Sequence, residues 1–367
     1  MGAIETLPRT VAPSWRPRSD EWLRRPPSRY EGTPDRPLFI GACPRSGTTL
    51  LRVMLDNHPD LALPHETNFV RPLWWRRVHF GNLRDPANRR RAAEWIFSDK
   101  STRSGRLRGG KLSRADAIRR VAAAPPTVGS IVQATLEIYA ELHGKPRWGD
   151  KRPAYSGFIG MLFAMFPHAQ YINVVRDPRA VVASQIRMPW DKPEVALPAA
   201  TSHWEAAVHR TDHFARSLRR DQLLDLRYED MVSDPRATLE RVCAFAGLRA
   251  GDAIEAMISK PRSSLRGSHK VVSKPITTAS VERWRERLAP HEVALVEAAT
   301  APLFERFGYH RDDDLRADPA PSDLAELARQ RRMRRREWRN SQRGELFRRA
   351  VYRRPVAAVD APDRPDR

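Results

Sequence analysis

The segment 37–58, PLFIGACPRSGTTLLRVMLDNH, constrains the fold more than any other stretch of the chain. PLFIGA at 37–42 is a short apolar run that reads as a buried strand. The loop CPRSG follows. The next residues place Leu50, Leu51, Met54 and Leu55 on one helical face. A strand, a glycine-containing turn and a helix N-terminus together make an anion site, because backbone N–H groups converge there and the helix dipole favours negative charge. Gly47 lets the backbone approach a phosphate closely. Ser46, Thr48 and Thr49 add hydroxyl donors, and Arg45 adds a planar, permanently charged fork. A Walker-type nucleotide loop needs lysine directly after its second glycine. Here Thr48 follows Gly47 and the loop has no lysine, so it is read as holding a phosphate-like group without being tuned for a nucleoside triphosphate and Mg²⁺.

A second strand, YINVV at 171–175, ends in Arg176-Asp177-Pro178, and AVVASQI opens a helix. Strand C-termini are where open α/β sheets bind ligands. Ser184 lies a little over two helical turns beyond Arg176, so the two residues are placed to clasp one phosphate from two sides; the rival reading is an Arg176–Asp177 salt bridge and an ordinary helix serine. LLDLRY at 223–228 reads as a third strand. Helical patterns cover about 88–97, 113–123, 129–143, 235–246 and 322–350. Short strands separated by helices of ten or more residues predict a parallel α/β sheet. Residues 1–36 hold Pro8, Pro13, Pro17, Pro26, Pro27 and Pro34 among arginines and serines and read as an extended arm.

The pair PRSGTT and VVRDPRAVVAS, about 130 residues apart, resembles the 5'-phosphosulfate loop and the 3'-phosphate element of the sulfotransferases that use 3'-phosphoadenosine 5'-phosphosulfate (PAPS). The resemblance runs from about residue 37 to 310 and looks closest to the tyrosylprotein sulfotransferases and their bacterial relatives, where the loop, an LDNHPD-like helix end and an acidic residue follow in quick succession. It implies an α/β, P-loop-like three-layer sandwich with a central parallel sheet flanked by helices. The acidic residue corresponds to Glu66 in PHETN, implied as the general base for the acceptor hydroxyl; the chemistry agrees, since an attacking alcohol or phenol must lose its proton. His65 is the rival base. By the same resemblance Lys151, in WGDKRP, stabilises charge on the transferring group together with Arg45. Arg152 stands where the family usually has a small hydroxyl residue. Ser268 and Lys274 correspond to a serine and a lysine that help bind the nucleotide, the rival reading being a solvated loop, and Tyr228 matches a further family stretch, either lining the nucleotide cleft or only packing.

PAPS is therefore the expected cosubstrate, with 3'-phosphoadenosine 5'-phosphate (PAP) as product and no catalytic metal. The acceptor is a hydroxyl compound, with peptide tyrosine, a sugar or a small natural product all open. A homodimer is a further implication of the resemblance. The expected organisation is an arm over 1–36, a sulfotransferase domain over 37–310 and a basic helical tail over 311–367. Two rival functions remain: a kinase on the same sheet, and a non-catalytic adenine-nucleotide or polyanion binder.

The net charge of +21 raises a nucleic-acid reading. Against it, only eight of the 65 basic residues are lysine, and twelve arginines fall between Arg329 and Arg354 against Glu337 and Glu345 alone. Specific nucleic-acid binding is not expected. The basic helix is read either as solvated or as touching an acidic membrane or partner. Two cysteines, no apolar signal core and no long apolar run make the cytoplasm the expected compartment.

Overall fold

The computed structural model describes residues 36–77, 79–98, 107, 112–187, 196–259, 276–312 and 317–352. In chain order its elements are β1 (Leu38–Ala42), α1 (Thr48–Asp56), β2 (Leu61–Ala62), α2 (Val70–Arg76), α3 (Pro86–Ile96), α4 (Arg114–Ala122), α5 (Val128–Leu142), β3 (Arg147–Lys151), α6 (Ile159–Met165), β4 (Gln170–Val175), α7 (Pro178–Gln185), α8 (Leu197–Ala215), β5 (Leu223–Arg227), α9 (Tyr228–Ser233), α10 (Pro235–Ala246), α11 (Asp252–Ser259), α12 (Pro290–Arg306) and α13 (Pro321–Tyr352). The strands form one parallel sheet in the order β2-β3-β1-β4-β5.

Alternation along the central strands sorts the core into two layers. Phe39 and Tyr171 face α2 to α6, while Leu38, Ile40, Ala42, Ile172 and Val174 face α1 and α9 to α11. Helices thus cover both faces, and the strands read as near-continuous apolar runs, as buried parallel strands do.

Strand β3 breaks that pattern. Its sequence is RWGDK, yet all five residues are buried. Arg147 Nε donates to the Arg36 carbonyl at 2.6 Å and its Nη2 to Gln170 Oε1 at 2.7 Å. Asp150 and Lys151 find partners at the site described below. Periodicity did not reveal this strand, because its charges are matched by residues far away in sequence.

Local chemistry sets several helix starts. Asp177 caps α7, accepting from Arg179 N at 2.8 Å, with Pro178 in the first turn. Asp234 caps α10 in the same way, and Gly247 ends that helix at φ 68°. Tyr228, expected at a strand end, instead opens α9 one residue after β5.

Helix α13 covers the expected 322–350 and is not solvated all round. Leu327 is 2% exposed. Arg331 grips the Glu205 carboxylate at 2.6 and 2.9 Å, Arg334 donates to Ser202 Oγ and the Ala199 carbonyl, and Trp338 meets His213 edge-on at 5.1 Å. These residues form one helical stripe against α8. Among the described residues, no helix is long and apolar enough to cross a membrane.

Candidate active site

Every strand of the sheet delivers a candidate residue just beyond its C-terminal end, where parallel sheets present ligand sites. β1 leads into Arg45–Thr49, β2 into His65 and Glu66, and β3 ends on Lys151. β4 ends before Arg176, and β5 before Tyr228.

Two residues of the first loop take left-handed backbone. Gly47 has φ 91° at the N-cap of α1, and Arg45, a non-glycine, has φ 79°. Such a conformation costs a side-chain-bearing residue about 1–2 kcal/mol, and it is a recurrent mark of ligand-binding loops. A Cβ at Gly47 would overlap the Tyr228 ring. Ser46 Oγ is buried and has no hydrogen-bond partner among the described residues. A buried orphan hydroxyl at a helix N-terminus is what a bound oxyanion would satisfy.

Lys151 joins this loop to the candidate base. Its Nζ lies 2.7 Å from Glu66 Oε1 and 3.3 Å from Thr49 Oγ1. The Lys151 side chain is 2% exposed, whereas that of Glu66 is 29% exposed, so an incoming molecule reaches the carboxylate first. Burial tends to raise the Glu66 pKa, but the Lys151 ammonium, with smaller help from His65 and Arg152, holds it below the usual carboxylate value. Burial lowers the Lys151 pKa, opposed by Glu66. The carboxylate–ammonium form is the one the geometry supports.

The LDNHPD stretch fixes this arrangement from behind. Asp56 Oδ1 accepts from Leu63 N at 2.9 Å, and Arg52 donates to the Leu63 carbonyl at 3.0 Å. His58 Nδ1 accepts from Asp60 N at 3.0 Å while its Nε2 faces the Arg249 carbonyl at 2.9 Å, a pattern that suits the neutral ring. The chain between β2 and Glu66 is thereby pinned to α1.

Asp150 directly precedes Lys151 on β3. Its Oδ2 accepts from Tyr155 Oη and, at 3.2 Å, from Thr67 Oγ1, the residue after Glu66. Its Oδ1 is buried without a partner among the described residues. Burial pushes its pKa up to about 6, against the hydrogen bonds from Tyr155 and Thr67 and the charge of Lys151.

At the other end of the loop, Arg45 meets both members of the expected 3'-phosphate clasp. Arg45 Nε donates to Ser184 Oγ at 3.1 Å, and Arg176 Nη1 donates to the Arg45 carbonyl at 3.2 Å. The Arg176 guanidinium stacks on Tyr228 at 4.3 Å, and its Nη2 donates to the Ser280 carbonyl at 2.6 Å. Tyr228 Oη lies 2.6 Å from Ser280 Oγ. The rival Arg176–Asp177 salt bridge is not formed; Asp177 pairs with Arg179 instead. Arg45, Ser46, Gly47, Thr48, Thr49, Glu66, Lys151, Arg176, Ser184 and Tyr228 thus come to one end of the sheet. Ser268 and Lys274 lie outside the described residues. Sequence reading missed Ser280, which carries no local signal because its partner Arg176 is 104 residues away.

A family model described as "Sulfotransferase family" matches residues 37–252, more than half of the chain. The chain belongs to the sulfotransferase family. It is 30% identical over 292 residues to protein-tyrosine sulfotransferase 1 of Danio rerio, covering 75% of this chain and 73% of that one. It is 28% identical over 284 residues to the protein-tyrosine sulfotransferase of Drosophila melanogaster, covering 74% of this chain but only 51% of that protein; the chain spans about half of that relative's length. It is also 28% identical over 299 residues to the nodulation protein NoeE of Sinorhizobium fredii, covering 74% and 66%. Among solved structures, the sulfotransferase domain of the Synechococcus PCC 7002 olefin synthase matches with TM-score 0.52 and 28% identity, over 75% of this chain and 96% of that one. In this sulfotransferase, the parallel sheet and its helix layers are the family's P-loop-like architecture, and the candidate site occupies the ligand-binding end of it.

Proposed function

We propose that this sulfotransferase moves the sulfuryl group of PAPS to an acceptor hydroxyl, with Glu66 as general base. One observation carries the reading: a single buried ammonium, Lys151, bridges Glu66 and Thr49 of the phosphate loop. That geometry puts the base, the cation and the anion-binding loop within one side chain's reach of each other.

The bonds balance simply. The acceptor oxygen forms a bond to sulfur, the bond from sulfur to the 5'-phosphate oxygen breaks, and PAP leaves with the electron pair. Glu66 takes the hydroxyl proton. Lys151 and Arg45 offset the negative charge that gathers on the leaving phosphate and the transferring group. The orphan Ser46 hydroxyl, Gly47, Thr48 and Thr49 fit the phosphosulfate. Arg176 and Ser184 fit the 3'-phosphate, and Tyr228 fits a cleft-lining role. Ser268 and Lys274 belong to the same proposed nucleotide site. When the donor engages Lys151, Glu66 loses part of the charge that depresses its pKa and becomes the stronger base. The names of the tyrosine-sulfating relatives favour a phenolic hydroxyl as acceptor. Both cysteines, Cys43 and Cys243, are free and buried, which suits a reducing cytoplasm.

Calorimetric titration with PAP, ATP and 5'-AMP in the presence of EDTA tests the nucleotide. PAP is expected to bind well and the other two weakly; preference for ATP, or no nucleotide binding, would sink the reading. With PAPS and a phenolic acceptor, Glu66→Gln is expected to lower kcat by about 10²–10⁴ while PAP still binds. Unchanged turnover would remove Glu66 from the mechanism.

A further inference from the structure

An open cavity of ≈ 440 Å³ is lined by Arg71, Pro72, Trp75, Arg76, Phe158 and Ser341. Two of its walls continue the segments that carry the Glu66–Lys151 pair. Arg71 sits near the start of α2, shortly after Glu66, and Phe158 directly precedes α6, shortly after Lys151. Arg152 ties the cavity to the pair electrostatically, since its charge acts on both Glu66 and Arg71. The third wall is Ser341 of α13, which lies beyond the residues matched by the family model. The stripe of Leu327, Arg331, Arg334 and Trp338 docks this helix on α8, and Ser341 follows one turn after Trp338 on the same side.

The chemistry of the lining is specific. Among the described residues, the Arg71 and Arg76 guanidinium groups have aromatic neighbours but no carboxylate. Arg71 lies over Phe158 at 4.8 Å and Arg76 over Trp95 at 5.8 Å. By contrast, Arg179 is matched by Asp177 and Glu297, and Arg331 by Glu205. Two guanidinium groups without a carboxylate partner, one of them over the face of Phe158, in a cavity that Trp75 also lines, recognise a flat apolar body that carries an anion. A volume of this size takes a small molecule.

We propose that this cavity is the subsite for the body of the acceptor, that α13 is its outer wall, and that it takes a small phenolic acceptor bearing a negative charge. The proposal rests on the sulfotransferase reading, and its test keeps the two apart. The full chain, saturated with PAP, is titrated calorimetrically with p-coumarate and with its neutral methyl ester. The carboxylate is expected to bind about tenfold or more tighter than the ester. Arg76→Gln, a change at an exposed side chain, is expected to remove most of that preference. Ser341→Trp is expected to weaken both ligands by about tenfold and to leave PAP affinity unchanged. Equal affinity for acid and ester, no binding of either to the PAP complex, or a Ser341→Trp chain that binds both as before would overturn the proposal. Failure of PAP itself to bind would count against the transfer reading alone, and the same two titrations of the nucleotide-free chain would still decide the cavity.

Discussion

Gly47 and Tyr228 show how one position can hold a site open. The glycine takes φ 91° and its missing side chain leaves room for the Tyr228 ring. Gly47→Ala meets both a left-handed backbone penalty of about 1–2 kcal/mol and a collision with an aromatic ring. The expected result is a lower melting temperature and PAP binding weakened by about tenfold or more; calorimetry on the variant decides it. Asp150 makes a different prediction. Burial holds its pKa at about 6 in the folded chain, above the ordinary aspartate value of about 4, so between those values the folded chain holds a proton that the unfolded chain has released. Its contribution to stability is fully present below pH ~4 and is lost as pH rises through ~6. Asp150→Asn removes this loss and keeps an acceptor for Tyr155 and Thr67. The difference in melting temperature, variant minus wild type, is expected to become more positive between pH 4 and 7. A difference independent of pH would show that the carboxyl does not titrate in that window.

At the scale of elements, β3 and α13 carry the lesson. Both are rich in charge, and both are held by partners far away in sequence. The expected strands β1 and β4 were legible because their apolar runs bury on both faces, and β5 because of its leucines, although it is only partly buried at the sheet edge. RWGDK was not, since its burial depends on Arg36, Gln170, Thr67, Tyr155 and Glu66. Helix α13 was legible as a helix, but its docked face is written partly in arginine. Arg331→Ala strips the partner from Glu205, whose side chain is 10% exposed, and such a loss costs about 1–3 kcal/mol. Urea unfolding should report a lower midpoint, with α13 loosened from α8; an unchanged midpoint would make the ion pair energetically idle.

For the molecule as a whole, the local pattern of 37–58 determined the strand, the turn and the helix N-terminus, because these depend on apolar spacing, one glycine and the dipole of the helix that follows. Paired with VVRDPRAVVAS it also pointed to the family and to the sheet end where the candidate residues gather. Residue chemistry and spacing nominated Arg45, Arg176 and Ser184, since few side chains bind phosphate, and the family resemblance nominated Glu66 and Lys151. The sequence did not say which of these touch. That Lys151 bridges Glu66 and Thr49, that Arg45 reaches both Arg176 and Ser184, that Ser280 closes over Tyr228, and that α13 walls the cavity beside Arg71 were decided by tertiary structure. The reason is physical. Periodicity and turn chemistry act over a few residues, whereas the cost of burying a charge is met by whichever partner the packed sheet and its helices bring within about 3 Å, and that partner is often more than a hundred residues away.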